Sequence, residues 1–279
     1  MNSQLSERIR QKSGEFSKGQ RAIARYIEEH SDKVAFMTAS RLGQTVGVSE
    51  STVVRFATEI GYSGYPALQQ AMQEMIRSKM TSVQRLEMTS SNVPQEKLLD
   101  VVLDQDIDIL KRTKESVDRE AFYQAAEALV NARKVYMLGA GSSLALATFL
   151  AHYLRLIFDT VHLVEATSEY TILQQMVRAG EEDAIIAISF PRYSKKAVKT
   201  LKYASDRGMA TIAITDSRLS PLAEHASHVL LARSDMVSFV DSLVGPLSII
   251  NALIVTVAIK KKDEVADTCL LYTSPSPRD

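Results

Sequence analysis

Apolar positions change their spacing between the two halves of the chain. Over residues 3–79 they recur at the interval of an α-helix, whereas from residue 134 short apolar runs alternate with helical patterns. Runs that are apolar throughout are typical of parallel strands buried on both faces of a sheet. We identify five of them: KVYMLG, VHLVE, DAIIAI, ATIAIT and HVLLA. The pattern predicts an all-α domain followed by an α/β domain whose five-stranded parallel sheet is doubly wound.

A polar stretch separates the two patterns. Residues 81–94 contain few large apolar residues and end in a Ser/Asn/Pro cluster, as is typical of a linker. A long amphipathic helix is predicted to begin near Gln95, and further helices follow the strands, the last of them over residues 236–260. We therefore expect a helical domain at 1–80, a linker at 81–94, and an α/β domain with leading helices at 95–268.

One stretch of the helical domain predicts a helix, a sharp turn and a second helix. In ASRLGQTVGVSESTVVRFATEI, Gly47 permits the turn and Ser49 can cap the helix that follows. This order is that of a helix-turn-helix, whose second helix enters the major groove of DNA. The side chains predicted to contact bases or phosphates stand near the start of that helix: Ser49, Glu50, Ser51, Thr52, Val54 and Arg55. A plain helical hairpin, with Arg55 in solvent, is the alternative.

Residues 37–72 carry a longer pattern. The core T-A-x-x-L-x-x-x-x-G-V-S-x-x-T-V-x-R-F, followed by GYSGYPALQ, resembles the DNA-binding domain of RpiR-type bacterial transcriptional regulators. The resemblance implies an all-helical, winged-helix-like module that binds operator DNA as a dimer. Charge is weak support, since the first 80 residues hold 11 Lys/Arg against 8 Asp/Glu in a chain of zero net charge.

The first predicted strand ends in LGAGSSLALA. Gly139 and Gly141 let the backbone turn tightly, so that its N–H groups approach an anion at the start of the next helix, and Ser142 and Ser143 add hydroxyl donors. Leu144 stands where a dinucleotide-binding fingerprint has its third glycine, and no Gly-Lys-Ser/Thr follows as in a P-loop. The loop therefore predicts an anion site of another kind, or else a purely structural turn.

The α/β region over residues 134–261 resembles a SIS (sugar isomerase) domain, with GAGSS and ITDSRLSPLAEHA as its clearest marks. In RpiR-type regulators this domain follows the DNA-binding module and binds phosphosugars. The resemblance implies ligand contacts from serines of two loops and a later helical turn: Ser142 and Ser143 in the first loop, Ser189 and Ser194 in the second, and Ser220 at the turn.

The second of these loops departs from the family pattern. Relatives carry S-x-S-G-x-T there, whereas this chain has SFPRYSKK, without glycine and with Pro191, which has no backbone N–H. An amide cradle for phosphate is thereby impaired. Arg192 can bind a phosphate or carboxylate instead, with Tyr193 stacking on the ligand or hydrogen-bonding to it. The alternative is that Arg192 is a solvated loop residue and Tyr193 is partly buried.

Catalysis at this site would need a positioned base, and the sequence shows no acid/base pair at motif spacing. His225 and Glu224 are the best of the weak candidates, and Glu165 and Glu169 are possible contacts for ligand hydroxyls. No catalytic residue, metal site or cofactor is predicted. We expect a transcriptional regulator that senses a small anionic metabolite, a phosphosugar before a sugar acid. A phosphosugar isomerase or lyase with an N-terminal oligomerisation module is the alternative, and a ligand-free α/β domain is a third.

The expected compartment and assembly rest on hydrophobic segments of the chain and on the symmetry of operator DNA. No stretch has the roughly twenty apolar residues that cross a bilayer, and the N-terminus lacks the apolar core of a secretory signal, so a cytoplasmic protein is expected. Two-fold operators predict a homodimer or a higher homo-oligomer.

The last residues, 269–279, hold the only cysteine and resemble the translation of a transposon-type sequencing adapter. We expect this tail to be foreign to the fold.

Overall fold

The structure, a computed structural model, describes residues 4–165, 168–235 and 238–266. The chain divides into two compact units, Met1–Asn92 and Val93–Asp279. Each unit has its own hydrophobic core. The tail over residues 269–279, which the sequence suggests is foreign, lies outside the described residues.

Every described element of the first unit is a helix or a helical turn, as the apolar spacing predicts. The helices are α1 (Gln4–Lys12), α2 (Lys18–Glu29), α3 (Ser31–Val34), α4 (Ala39–Val46), α5 (Glu50–Glu59), α6 (Tyr65–Lys79) and α7 (Ser82–Asn92). Local signals place their ends, since Ser17 and Gln20 form a capping box at the start of α2 and Thr38 caps α4. The segment for which the sequence predicts a linker is largely helical, because α7 covers most of it.

The core of this unit is built from the apolar faces of neighbouring helices. Ile23, Leu42, Val53, Phe56 and Leu68 are fully buried. Burial of one such side chain stabilises the folded state by about 1.5–3 kcal/mol. Since α5 packs against α2, α4 and α6, its orientation is fixed by three neighbours.

Two helices lead into the second unit. The long amphipathic helix predicted near Gln95 is α8 (Leu98–Ser116), which follows a 3-10 turn over Gln95–Lys97. The next helix, α9 (Arg119–Val130), begins at Asp118, whose side chain accepts a hydrogen bond from the backbone N–H of Ala121. Because an N-cap residue has extended backbone, Asp118 separates the two helices.

The sheet has five parallel strands in the order β2-β1-β3-β4-β5. They are β1 (Val135–Gly139), β2 (Val161–Leu163), β3 (Ala184–Ile188), β4 (Ala210–Thr215) and β5 (His228–Leu231). The helices that follow β1, β2, β3 and β5 are α10 (Ser143–Leu154), α11 (Glu169–Met176), α12 (Lys195–Asp206) and α13 (Val244–Lys260). The prediction of a doubly wound α/β fold with a five-stranded parallel sheet is confirmed.

Alternate side chains of the strands face opposite layers of helices. Met137 and Ile186 belong to a core that includes residues of α9, α10 and α13, whereas Tyr136 and Ile185 belong to one that includes residues of α11 and α12. The chain leaves β1 toward β2 and then returns to pair β3 on the other side of β1. Ligands of open α/β sheets bind at such a reversal, outside the carboxyl ends of the strands. The loops that follow β1 and β3 border this crevice.

The last helix begins later than the sequence predicts. Helix was expected from residue 236, but α13 begins at Val244. Before it, the backbone N–H of Ser242 donates to the carbonyl oxygen of Asp235 at 3.1 Å, and the Ser242 hydroxyl donates to Asp106 of α8 at 2.6 Å. These bonds hold the residues just before α13 in a non-helical segment that is tied to α8.

Candidate functional sites

The turn between α4 and α5 has the geometry of a helix-turn-helix. Gly47 ends α4 with a φ of +73°, and the Ser49 hydroxyl accepts a hydrogen bond from the N–H of Thr52 at 3.3 Å, which caps α5. Gly43 of α4 faces this turn, since a Cβ there would lie 2.8 Å from the carbonyl oxygen of Val48. Sequence reasoning missed Gly43, although a glycine inside a helix, where glycine is unfavourable, signals a close backbone approach.

The residues predicted to contact DNA lie together on the first turns of α5. Val53 and Phe56 are buried, so the opposite face of the helix is turned outward. Thr52 is half-buried, and the remaining predicted contacts are exposed: Ser49, Glu50, Ser51, Val54 and Arg55. The hydroxyls of Ser51 and Thr52 each lie 2.9 Å from that of Ser49. This end of α5 therefore presents clustered hydroxyls, one carboxylate, one methyl surface and one guanidinium.

The start of α2 lies against the same end of α5. A Cβ at Gly19 would lie 3.1 Å from a side-chain carbon of Val48 and 3.6 Å from one of Thr52. Lys18, the first residue of α2, is exposed. Two helix N-termini and a lysine side chain form a region suited to phosphate. Lys18 is absent from the predicted contacts because these come from the helix-turn-helix stretch alone.

The loop after β1 depends on two glycines. A Cβ at Gly139 would lie 2.3 Å from the carbonyl oxygen of Ser143, so only glycine fits between the strand and the start of α10, and Gly141 has a φ of +60°. Ser143 is buried, whereas Ser142 is exposed. The Ser142 hydroxyl donates to Asp241 Oδ2 at 3.2 Å. Of the two predicted serines, Ser142 is therefore the one that a ligand can reach.

The serines of the loop after β3 hydrogen-bond within that loop. The Ser194 hydroxyl accepts from the N–H of Ala197 at 3.3 Å and caps α12, while the Ser189 hydroxyl accepts from the N–H of Ser194 at 3.1 Å. Ser189 is also buried. Both hydroxyls therefore shape the loop and hold the start of α12.

Arg192 is the charged side chain at the centre of the same loop. Its φ of +74° lies in the left-handed region, and no other non-glycine residue within the described ranges has a positive φ. Nη2 of Arg192 donates to both carboxylate oxygens of Asp241, at 3.1 and 3.3 Å. Since Asp241 also accepts from Ser142, it connects the loops after β1 and β3. Sequence reasoning missed Asp241 because its position falls inside the helix predicted over residues 236–260.

Tyr193 is bonded to a buried carboxylate. Its hydroxyl donates to Asp216 Oδ1 at 2.8 Å, and the hydroxyl of Thr215 lies 3.3 Å from the same oxygen. Burial raises the pKa of the Tyr193 hydroxyl and that of the Asp216 carboxyl. The Tyr193 hydroxyl thus fixes the loop to the end of β4. Sequence reasoning also missed Asp216.

Ser220 lies in a turn of its own. It is buried, its hydroxyl accepts from the N–H of Ala223 at 3.3 Å, and its N–H donates to the carbonyl of Ser217 at 3.0 Å. Within the described ranges, no hydrogen bond joins Ser220 to Ser142 or Arg192. The structure therefore brings Ser142, Arg192 and Asp241 together, whereas Ser220 hydrogen-bonds within its own turn.

Glu169, one of the carboxylates expected near a ligand, is paired with a lysine. Its Oε1 lies 2.5 Å from Lys199 Nζ, and this hydrogen bond lowers the pKa of the Glu169 carboxyl. Glu169, predicted as a possible contact for ligand hydroxyls, is thus engaged in an exposed ion pair with Lys199 of α12. Among the residues that the structure describes, no three His, Cys, Asp or Glu side chains are grouped so as to hold a metal ion.

Two family models match the chain in the order that the folds suggest. Residues 3–79 match the helix-turn-helix domain of the rpiR family, and residues 128–256 match the SIS domain. The chain belongs to the RpiR-type transcriptional regulators. An RpiR-type regulator carries its DNA-binding domain before its SIS domain, and both resemblances found in the sequence are thereby confirmed.

Relatives and solved structures match this RpiR-type regulator over most of its length or over its second part. An uncharacterized HTH-type transcriptional regulator of Clostridium perfringens is 26% identical over 216 residues, which are 77% of this chain and 76% of that protein. The sugar isomerase domain of an RpiR transcription factor from Sphaerobacter thermophilus has a TM-score of 0.59 at 33% identity, covering 63% of this chain and 98% of that one. NanR of Vibrio vulnificus, complexed with ManNAc-6P, has a TM-score of 0.58 at 24% identity, covering 96% and 97%.

These findings make the protein a DNA-binding transcriptional regulator, as the sequence predicts. The chain matches the rpiR helix-turn-helix model, and the Clostridium relative is named an HTH-type transcriptional regulator, which favours regulation over the alternative of an isomerase or lyase. In the described part of the chain, no helix is both long and apolar enough to cross a membrane.

Proposed function

We propose that this RpiR-type regulator binds operator DNA through α5 and senses a phosphosugar in the crevice between the loops after β1 and β3. The observation that carries the ligand site is the convergence of Ser142 and Arg192 on one anion, the carboxylate of Asp241. A hydroxyl and a guanidinium that bind a carboxylate of the protein are also suited to bind the anionic group of an effector. NanR has the same fold and is complexed with ManNAc-6P, which supports a phosphosugar before a sugar acid.

The remaining predicted ligand residues are assigned supporting positions in this site. Gly139, Gly141 and Ser143 allow α10 to start close to β1. Ser189, Tyr193, Ser194 and Ser220 hold the later loops and turn through hydrogen bonds. Direct contact with the effector's anionic group is assigned to Ser142 and Arg192.

We assign operator recognition to the first turns of α5. Short polar side chains and Arg55 can hydrogen-bond base edges, Val54 offers an apolar surface to a thymine methyl, and Thr52 and Arg55 can reach phosphates. The full set is Ser49, Glu50, Ser51, Thr52, Val54 and Arg55. Lys18 adds a phosphate contact at the start of α2. In this proposal residues 1–80 bind DNA, 81–94 connect, 95–268 bind the effector, and the protein acts in the cytoplasm.

The regulator is proposed to act as a homodimer that pairs through α8. Leu99, Leu103 and Ile107 follow one another at intervals of four residues, so they form a stripe along one side of the helix. Their exposed fractions are 70%, 51% and 50%. Such a stripe of large apolar side chains marks a surface that another protein covers.

The charge pattern of α8 supports a second copy of the same helix as the covering surface. The exposed residues Asp100 and Asp104 lie before Ile107, and the exposed residues Lys111 and Lys114 lie after it at similar distances along the chain. When two copies of α8 pack antiparallel about a two-fold axis near Ile107, Asp100 approaches Lys114 of the partner subunit and Asp104 approaches the partner subunit's Lys111. An isologous interface requires this self-complementarity.

The DNA assignment is tested by Arg55→Ala. The operator is first selected from a random-sequence DNA pool with the wild-type protein, and affinities are then measured by gel shift. We expect Arg55→Ala to weaken operator binding by about tenfold or more, as is typical for loss of a base-contacting arginine. Arg178→Ala, an exposed arginine of the second unit, removes the same charge and should leave the affinity unchanged. Equal affinities for both variants would refute the role of α5.

The effector assignment is tested by a thermal-shift screen of phosphosugars and sugar acids. A phosphosugar that binds the folded state should raise the unfolding temperature, and Ser142→Ala should reduce that shift because one donor to the anion is lost. A wild-type protein that responds to sugar acids and to no phosphosugar would overturn the effector class. A protein that responds to neither would favour a ligand-free α/β domain.

A further inference from the structure

A carboxylate of the protein stands where the effector's anionic group is expected. Asp241 Oδ2 accepts hydrogen bonds from Ser142 Oγ at 3.2 Å and from Arg192 Nη2 at 3.1 Å. The Asp241 side chain is 16% exposed, against 52% for Arg192. These two donors are the ones to which the proposed function assigns the effector. The subsite therefore already holds an anion that belongs to the chain.

Between β3 and the start of α12, Arg192 is the charged side chain that can bind an anion. Pro191 has no N–H to donate, and the hydroxyls of Ser189 and Ser194 are engaged in holding the loop and capping α12. The left-handed backbone of Arg192, with φ at +74°, is unfavourable for a residue with a Cβ, and the fold maintains it. An effector that bonds to Nη2 of Arg192 must therefore displace Asp241 from that group.

We propose that Asp241 is an internal anion that competes with the effector for Ser142 and Arg192. This inference rests on the proposed function. Without effector, the carboxylate bridges the loops after β1 and β3; the effector's anionic group displaces it and takes both donors. Because the carboxylate is tethered to the chain, its effective concentration at the subsite is on the order of millimolar. Asp241 thus sets the effector concentration at which the regulator responds.

Competition and direct ligand contact predict opposite effects of Asp241→Asn. Asparagine has the size of aspartate without its charge, so the substitution weakens the bond to Arg192 and frees the donors. An internal competitor lowers the affinity of every anion at the subsite by the same factor, and its removal raises each affinity by that factor. If Asp241 instead accepts a hydroxyl of the sugar, Asp241→Asn weakens sugar binding and leaves inorganic phosphate unaffected.

Four probes separate these cases when their Kd values are measured on the full chain by calorimetry. They are inorganic phosphate, glucose 6-phosphate, glucuronate, which carries a carboxylate on the same ring, and uncharged glucose. We expect Asp241→Asn to bind each of the three anions about 3- to 10-fold more tightly, because a partly exposed charge pair that competes with them is lost. Its affinity for glucose should not increase. Asp206→Asn removes a carboxylate paired with Lys202 on exposed α12 positions and should change none of the four.

Hydrogen exchange supplies a readout that needs no ligand. Asp241→Asn and Asp241→Ala should both exchange faster at residues 139–143 and 190–194, because the link between the two loops is lost, while thermal unfolding shows that each variant is folded. Unchanged exchange in both loops would overturn the proposal, and so would a variant that gains affinity for none of the anions. If Asp241→Asn gains affinity for inorganic phosphate while no phosphosugar shifts the unfolding temperature of the wild type, the role of Asp241 as an internal anion is supported and the phosphosugar assignment fails.

Discussion

Single glycines determine how closely two chain segments approach at both candidate sites. At Gly43 a Cβ would lie 2.8 Å from the carbonyl oxygen of Val48, and at Gly139 it would lie 2.3 Å from that of Ser143. In each case the neighbour is backbone, which cannot rotate away as a flexible side chain can. The turn before α5 and the turn before α10 are therefore specified by the absence of a side chain as much as by any contact.

Gly43→Ala is expected to destabilise the first unit. In a helix this change ordinarily stabilises by about 0.4–1 kcal/mol, but here the methyl group meets the Val48 carbonyl and forces the turn apart. We expect a net loss of about 1–3 kcal/mol in the free energy of unfolding of the first unit, measured by denaturant titration. Gly14→Ala is the control, since a Cβ there meets nothing within 4 Å. If the two variants are equally stable, the close approach at Gly43 is wrong.

Residue type alone could not separate ligand contacts from structural ones. Ser189 and Ser194 are placed in the loop that the sequence indicates, but their hydroxyls hold the loop and cap α12, a role that a serine before a helix commonly has. The sequence offers Arg192 as a substitute for the missing glycine, with a solvated loop residue as the alternative. Its partner Asp241 lies 49 residues away, and no periodicity or spacing links two residues that meet only through the fold.

At the scale of elements, continuous apolar runs predicted all five strands because parallel strands are buried on both faces. The start of α5 was predicted because its cap, Ser49, is local. The start of α13 was not, because the residues before Val244 are held out of the helix by bonds from Ser242 to Asp235 and Asp106. Such long-range bonds override a favourable local pattern.

The exposed stripe on α8 gives a prediction about assembly. Ile107→Asp places a carboxylate at the proposed two-fold axis, where it meets its own copy and loses the apolar contact of both subunits. We expect the dimer dissociation constant to rise by at least about tenfold, measured by sedimentation velocity. Val177→Asp makes the same change at another exposed apolar residue, after the end of α11, and should leave the dimer intact.

Charge exchange tests the antiparallel arrangement itself. Lys111→Asp alone should weaken the dimer because it faces Asp104 of the partner subunit, and combining it with Asp104→Lys should restore the interaction. A double variant no better than the single one would exclude the antiparallel pairing, even if Ile107→Asp dissociates the dimer.

At the scale of the whole molecule, the crevice and α8 are joined by a short chain of contacts. Asp241 accepts hydrogen bonds from the loops after β1 and β3, and its neighbour Ser242 donates to Asp106 of α8 at 2.6 Å. The N–H of Arg233 donates to Thr113 of the same helix at 3.1 Å. In the sequence, α8 is the first long helix after the segment that connects to the DNA-binding unit. An effector that displaces Asp241 therefore acts on the residue before the one that anchors α8.

This chain of contacts predicts that Ser242→Ala separates binding from response. The substitution removes the Ser242 hydroxyl's bond to Asp106 while Ser142, Arg192 and the face of α5 stay intact, so the affinities for effector alone and for operator alone should change by less than about threefold. The factor by which the effector from the screen changes operator affinity, typically about 5- to 150-fold in coupled systems, should fall toward one. Because coupling is reciprocal, operator DNA should lose the same factor in its effect on effector affinity. The control is Ser227→Ala, which removes hydroxyl bonds to Thr211 at the start of β4 and should keep the full coupling. If the effector changes operator affinity by the same factor in Ser242→Ala as in the wild type, the coupling does not pass through the bond from Ser242 to Asp106.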